Sequence, residues 1–207
     1  MLFDVKNIEY RTEDHLILDK YSVSVHEGNH LLLLGASGCG KTTLMNLMAG
    51  LLKPSSGDIG YQDTRYASLS EDQMDKLRAE NFGFVFQKLH LIGHLSVAQN
   101  IALAQTDPNP SHIHELMNDL DLSGKEGRKA RDLSVGEAQR VAIARAVANS
   151  PKVIFADEPT SALDDMNTGK VMDLIFSQAT KTGATVIAAT HDARIKGHFK
   201  IVLEMTA

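Results

Sequence analysis

Apolar runs of strand length alternate with segments of helical period along most of the chain. His30 to Gly35 (HLLLLG), Lys152 to Glu158 (KVIFADE) and Thr185 to His191 (TVIAATH) are continuous apolar stretches. They end in glycine, paired carboxylates and histidine, and read as strands buried on both faces. Between them, TTLMNLMAGL places Leu44, Leu47, Met48 and Leu51 at helical spacing. NTGKVMDLIFSQATKTG puts Val171, Leu174, Ile175 and Gln178 on one helical face, with Gly183 past its end. Buried strands separated by helices predict an α/β fold with a mostly parallel sheet covered on both sides.

Two regions depart from this alternation. Residues 1–30 alternate apolar and polar positions, with Phe3, Val5 and Ile8, then Tyr21, Val23 and Val25, as in antiparallel strands. Residues 88–133 carry no strong strand signal. SVAQNIALA and SHIHELMNDL read as short helices joined by the proline-punctuated QTDPNP. One domain over 1–207 is expected. It has an antiparallel β-subdomain over 1–30, a core over 31–87 and 134–207, and a helical subdomain inserted at 88–133.

Composition narrows the class. The 207 residues are 43% hydrophobic and 23% charged, which fits a globular chain with a sizeable core. A net charge of -5 gives no global basic field, so no nucleic-acid partner is expected. The basic stretch KEGRKAR at 125–131 reads as a solvated loop. The single cysteine, Cys39, excludes an internal disulfide framework and fits a reducing compartment. No apolar run approaches the roughly 20 residues of a membrane span, and the first ten residues mix charges where a signal peptide is apolar. A cytoplasmic placement is expected, with any membrane role coming through a partner.

GASGCGKT, from Gly35 to Thr42, matches G-x-x-x-x-G-K-[ST] and sits between a buried strand and a helix. In such a loop Gly35, Ala36, Ser37, Gly38, Cys39, Gly40, Lys41, Thr42 and Thr43 cradle phosphates with backbone N–H groups and a helix N-terminus. Lys41 would reach the β- and γ-phosphates and the Thr42 hydroxyl would ligate Mg²⁺. Cys39 reads as a small filler, with a thiol activated by the loop's positive field as the alternative. VIFADE puts Asp157 and Glu158 at a strand's C-terminal edge, where ligands bind in open α/β sheets. There Asp157 would hold Mg²⁺ and Glu158 would orient the attacking water. A guanine-reading N-K-x-D tetrapeptide is absent, and nothing marks an acceptor site or lid of a small-molecule kinase.

The order GASGCGKT, Gln87 in FVFQK, LSVGEAQR, VIFADEPTSALD and His191 in ATHD resembles the ATP-binding cassette (ABC) ATPases over essentially the whole chain. GFVFQKLHLI, QRVAIARAV and ADEPTSALD are similar to the subgroup of LolD, MacB and FtsE. The resemblance implies ATP and Mg²⁺ as ligands. Gln87 would be the Q-loop glutamine that senses Mg²⁺ and the attacking water, and His191 the switch histidine near the γ-phosphate. Ser161, Ala162, Leu163 and Asp164 would form the D-loop across a dimer interface. Ser134, Val135, Gly136 and Glu137 would form the signature that meets the partner's ATP.

A single cassette then implies a second ATPase subunit, and the absence of spans a separate membrane permease that holds the protein on the inner face of the membrane. A regulatory cassette of the FtsE kind, or a non-transport ABC ATPase, stands beside the transport reading. The helical insertion is short for the family.

The signature departs from the family's L-S-G-G-Q. Ser134 and Glu137 form S-x-x-E, a capping box, so Glu137 is expected to turn back onto its own backbone rather than face ATP. Val135 replaces a glycine and is tolerated if its φ is negative. The aromatic residue on which the family stacks adenine falls on Thr12. Either Tyr10, two residues earlier and on the same strand face by period two, substitutes for it or the base is held without stacking; losing the stack would cost about 1 kcal/mol.

Overall fold

A computed structural model describes residues 1–160 and 165–206, without the side chains of 165 and 166. The expected D-loop, Ser161 to Asp164, lies outside the described residues. Strands β1 (Phe3–Arg11), β2 (Leu16–Val25) and β3 (Leu31–Gly35) come first, and helix α1 (Lys41–Met48) follows the glycine-rich loop. Strands β4 (Ser56–Tyr61) and β5 (Thr64–Arg65) precede α2 (Glu71–Asn81) and β6 (Phe82–Val85). Helices α3 (Val97–Ala102), α4 (Pro110–Asp119) and α5 (Val135–Val147) follow. Then come β7 (Val153–Asp157), α6 (Asp165–Thr182), β8 (Thr185–Thr190) and β9 (Ile201–Met205).

Five strands form a parallel sheet in the order β6-β7-β8-β3-β9. Its central strands alternate between two cores, which is why their sequences show no polar alternation. Leu31, Leu33, Val153, Phe155, Ile187 and Ala189 face α1 and the antiparallel sheet. Leu32, Ile154, Ala156, Val186 and Ala188 face α3 to α6. The expected α/β architecture, with a parallel sheet covered on both faces, is the one observed.

The antiparallel sheet is larger than residues 1–30 suggest. Its order is β2-β1-β4-β5, so residues 56–65 belong to it. Rings from both sheets join them: Phe3 lies 5.2 Å from Tyr61 and 6.2 Å from Phe155, and Phe82 lies 5.3 Å from Phe155. The spacing Phe3, Val5, Ile8 breaks period two because β1 is irregular between Val5 and Ile8, where Asn7 has φ 49°. All three are buried as a result.

Two local expectations are corrected. Helix α1 stops at Met48 and Gly50, with φ 68°, turns the chain, so Leu51 leaves the helical face and is exposed. Thr12 lies past the end of β1, and the register shifts between Tyr10 and Arg11. Period two therefore does not put Tyr10 and Thr12 on one strand face.

His30 ties the loop before β3 to β8. Its Nδ1 accepts from the Val186 N–H at 2.9 Å, and its ring stands edge-on to Phe176. Burial, with help from Lys200, holds the His30 pKa below its ordinary 6.5, so folding favours the neutral ring. That contribution is complete above the unfolded value and is lost as pH falls through the lower folded one. The melting temperature is expected to fall from about pH 7.5 to about pH 5, and less steeply in His30→Gln, whose amide does not titrate.

Candidate functional site

Parallel pairing levels the C-terminal edges of four strands. Leu34 lies opposite Thr190, Asp157 opposite Ala189 and Val85 opposite Ala156. The chain leaves β3 as the loop from Gly35 to Gly40, leaves β7 at Glu158 and leaves β8 at His191. Gln87 is exposed two residues past β6. All of the expected residues outside the D-loop and the signature therefore come to one edge of the sheet.

The loop is shaped by close approach and by left-handed glycines. A Cβ on Gly35 would come within 2.3 Å of the Met205 carbonyl oxygen. Gly38 and Gly40 have φ 86° and 93°, and Gly40 is the N-cap of α1. Ala36, Ser37 and Gly38 are exposed, and Thr43 is half-buried in the first turn of α1. Lys41, only 5% exposed, folds over the loop and donates to the carbonyls of Gly35 and Ala36, each at 2.9 Å. Its ammonium is also 3.9 Å from the Glu158 carboxylate. Cys39 is 3% exposed and belongs to the core beneath the loop, which is the filler role.

Across the loop, the Thr42 hydroxyl donates to Asp157 at 3.0 Å from Oδ1 and 3.2 Å from Oδ2. Burial raises the Asp157 pKa, the Thr42 bond opposes this, and the Glu158 charge adds to it. A hydroxyl and a half-buried carboxylate at a phosphate loop form the all-oxygen donor set that suits Mg²⁺. The residues present thus fit both a nucleotide phosphate and that cation.

Glu158 is one residue past β7 with φ 45°, a left-handed conformation that is uncommon for a residue with a side chain. Its N–H donates to the Ala189 carbonyl at 2.8 Å, which holds the turn. Oε2 accepts from the fully buried Thr190 hydroxyl at 2.8 Å, and Oε1 lies 3.0 Å from His191 Nδ1. A carboxylate that accepts there pairs with a protonated Nδ1, which leaves Nε2 of the half-exposed ring without a role in this contact. The arrangement presents a carboxylate fixed at both oxygens beside a lysine and a histidine.

The signature lies apart from this edge, at the start of α5. Ser134 accepts from the Glu137 N–H at 3.3 Å and Glu137 Oε2 accepts from the Ser134 N–H at 2.7 Å. Glu137 thus turns onto its own backbone. Val135 is the first helical residue, is not among the positive-φ positions and is 75% exposed, so it carries no backbone strain. Gly136 follows it on the exposed end of the helix.

Some participants were not legible. The KEGRKAR stretch is not merely solvated: Lys125 Nζ and Arg128 Nη1 both donate to Glu137 Oε1, at 2.6 and 3.1 Å. These cations, with the backbone bonds of Ser134, pull the Glu137 pKa down to about 2. Only the excess of basic residues ahead of an acidic helix start hints at the pairing. Thr190 read as the end of an apolar strand, and Gln139, which donates to the Pro159 carbonyl at 3.0 Å and links α5 to the chain after Glu158, had no signal at all.

Comparison with known proteins gives consistent relatives. The ABC transporter family matches residues 18–161. A macrolide export ATP-binding/permease protein, MacB of Burkholderia thailandensis, is 38% identical over 94% of this chain and 30% of its own length. The MacB of Campylobacter jejuni is 36% identical over 99% of this chain and 33% of its own. The chain thus spans about a third of the curated relatives it matches. The dimeric post-hydrolysis structure of the ATP-binding cassette MJ0796, bound to ADP and Pi, superposes with a TM-score of 0.87 at 30% identity. That match covers 99% of this chain and 94% of the other.

Burial of Cys39 is directly testable. A thiol reagent is expected to leave the native protein unlabelled and to titrate its one cysteine after unfolding in denaturant; rapid labelling in the folded state would place the thiol in the open loop instead.

Proposed function

The chain belongs to the ABC transporter family, as an ATPase cassette, and we propose that two such subunits close around ATP to drive a membrane permease. The observation that carries this reading is the meeting of Thr42, Asp157, Glu158 and His191 at the end of the phosphate loop. Gly35 to Thr43 would bind the phosphates of ATP through backbone N–H groups and the α1 N-terminus. Lys41 would exchange its two loop carbonyls for phosphate oxygens, a short motion for a flexible stem. Mg²⁺, held by Thr42 and Asp157 with Gln87 as a further ligand, would neutralise phosphate charge. Glu158 would accept a hydrogen bond from the attacking water and orient it, with Thr190 and His191 fixing the carboxylate. His191 would present its outer nitrogen toward the γ-phosphate.

In the proposed dimer each signature serves the ATP held by the phosphate loop of the other subunit. The dimeric MJ0796 cassette supports this pairing. In it Ser134 and Gly136 would approach the partner's γ-phosphate, and the segment Ser161 to Asp164 would lie along the interface. The permease reading draws on the relatives, which are ATP-binding/permease proteins by name.

It also draws on a groove of about 520 Å³ beside Gln87, lined by Phe84, Phe86, Leu51, Leu103 and Arg145. Leu51 and Leu103 are exposed on its rim, and Arg145 holds the loop after Gln87 through the Leu89 and His90 carbonyls. Such a groove suits an amphipathic helix of the permease. Among the described residues no helix is long and apolar enough to cross a membrane. The cassette would therefore lie on the cytoplasmic face, held by that partner.

Glu158→Gln tests the central assignment. It is expected to lower ATP turnover about 100-fold or more, while ATP and Mg²⁺ convert the monomer to a lasting dimer on size exclusion. Turnover near the parent rate would remove Glu158 from the chemistry.

A further inference from the structure

Glu137 brings a formal negative charge to the helix end that, on the reading above, meets an anionic nucleotide. Its two oxygens are divided in use. Oε2 holds the Ser134 N–H, and Oε1 takes both Lys125 and Arg128. The side chain is only 12% exposed, covered largely by these partners. Without the two cations, Oε1 would carry its charge in the first helical turn with only the partial positive helix end to offset it. With them, the three side chains sum to a positive end.

Arg128 is itself anchored. Its second amino group bonds the Asp132 carbonyl, and its own carbonyl accepts from Val97 at the start of α3. The cation that grips Glu137 is therefore fixed to the segment that leads into the signature and to the helical insertion.

We propose that Lys125 and Arg128 are positioning residues of the signature, acting through Glu137 to preset Ser134 and to make this helix end acceptable to a partner's ATP. The proposal rests on the signature meeting ATP across a dimer. A glutamine at 137 would keep the reciprocal capping bonds and need no cations, since its amide oxygen can accept from Ser134 without a charge. The requirement for Lys125 and Arg128 is thus created by the carboxylate.

The experiment uses the Glu158→Gln chain with ATP and Mg²⁺, and reads the ATP concentration that gives half dimer by light scattering. Adding Lys125→Ala and Arg128→Ala is expected to raise that concentration about tenfold, as charge-assisted bonds are lost. ATP binding by the monomer should not change, because the phosphate loop is untouched. Adding Glu137→Gln to the pair should restore dimerisation to within about twofold of the parent.

Unchanged dimerisation in the alanine pair overturns the proposal, and so does a loss that Glu137→Gln fails to restore. If Glu158→Gln alone does not dimerise in ATP, the trans reading of the signature falls and this proposal falls with it. Should the alanine pair melt near the assay temperature, Lys125→Met with Arg128→Met, which keep much of both stems, carry the same readings.

Discussion

The parallel register of β3, β8 and β7 is the constraint on which the candidate site depends. Leu34 opposite Thr190 and Asp157 opposite Ala189 bring the phosphate loop, the acidic pair and the histidine to one level. A slip of one residue would turn Leu32, Ile154 and Val186 from one core into the other and would unseat both. The two cores therefore fix the chemistry's geometry from beneath. At the site itself, among the described residues, the chain makes one left-handed turn with a side chain, at Glu158. It is held by a bond to Ala189, on the very strand that supplies Thr190 and His191. A strained residue whose supports are also its chemical neighbours is over-determined, the condition under which such strain persists.

The same double burial explains what could be read beforehand. Strands that face two cores are apolar at every position, and they end abruptly where the chain meets solvent and ligand. The parallel sheet, the phosphate loop and the positions of Asp157, Glu158 and His191 at its edge were legible for that reason. Helix α2 was not, because it buries no residue and so has no apolar period. The β4–β5 hairpin was missed because it is short and rich in glycine. Leu51 and the pair Tyr10 and Thr12 were misplaced by a left-handed glycine and a strand irregularity, which shift the period without any change in composition. Lys125 and Arg128 escaped because their partner lies across a turn, and spacing along a loop carries no periodicity to read.

Charge separates the two ends of the chain. At the sheet edge, Asp157 and Glu158 stand beside one lysine and a histidine, and burial already pushes Asp157 toward protonation. That edge gains by acquiring a divalent cation, and the cation in turn favours a polyphosphate. At the signature the balance is opposite. Lys125 and Arg128 outweigh Glu137, and the α5 N-terminus adds its partial positive charge. On the proposed reading, one end of the chain takes cation and phosphate together, while the other offers positive charge and a capped serine to phosphate alone.

On the proposed reading these two ends belong to different subunits. They can meet between two copies related by a two-fold axis, where each loop faces the other's signature and the contact is made twice. Such an interface has little reason to close without nucleotide, because the acidic edge and the positive helix end would be bridged only by the phosphates between them. Closing would then depend on an intact γ-phosphate, and its cleavage would remove the group that both sides grip. On the proposed reading, this is how a site built to break one bond also moves two subunits, with α3 and the basic loop before the signature joining that motion to the groove beside Gln87.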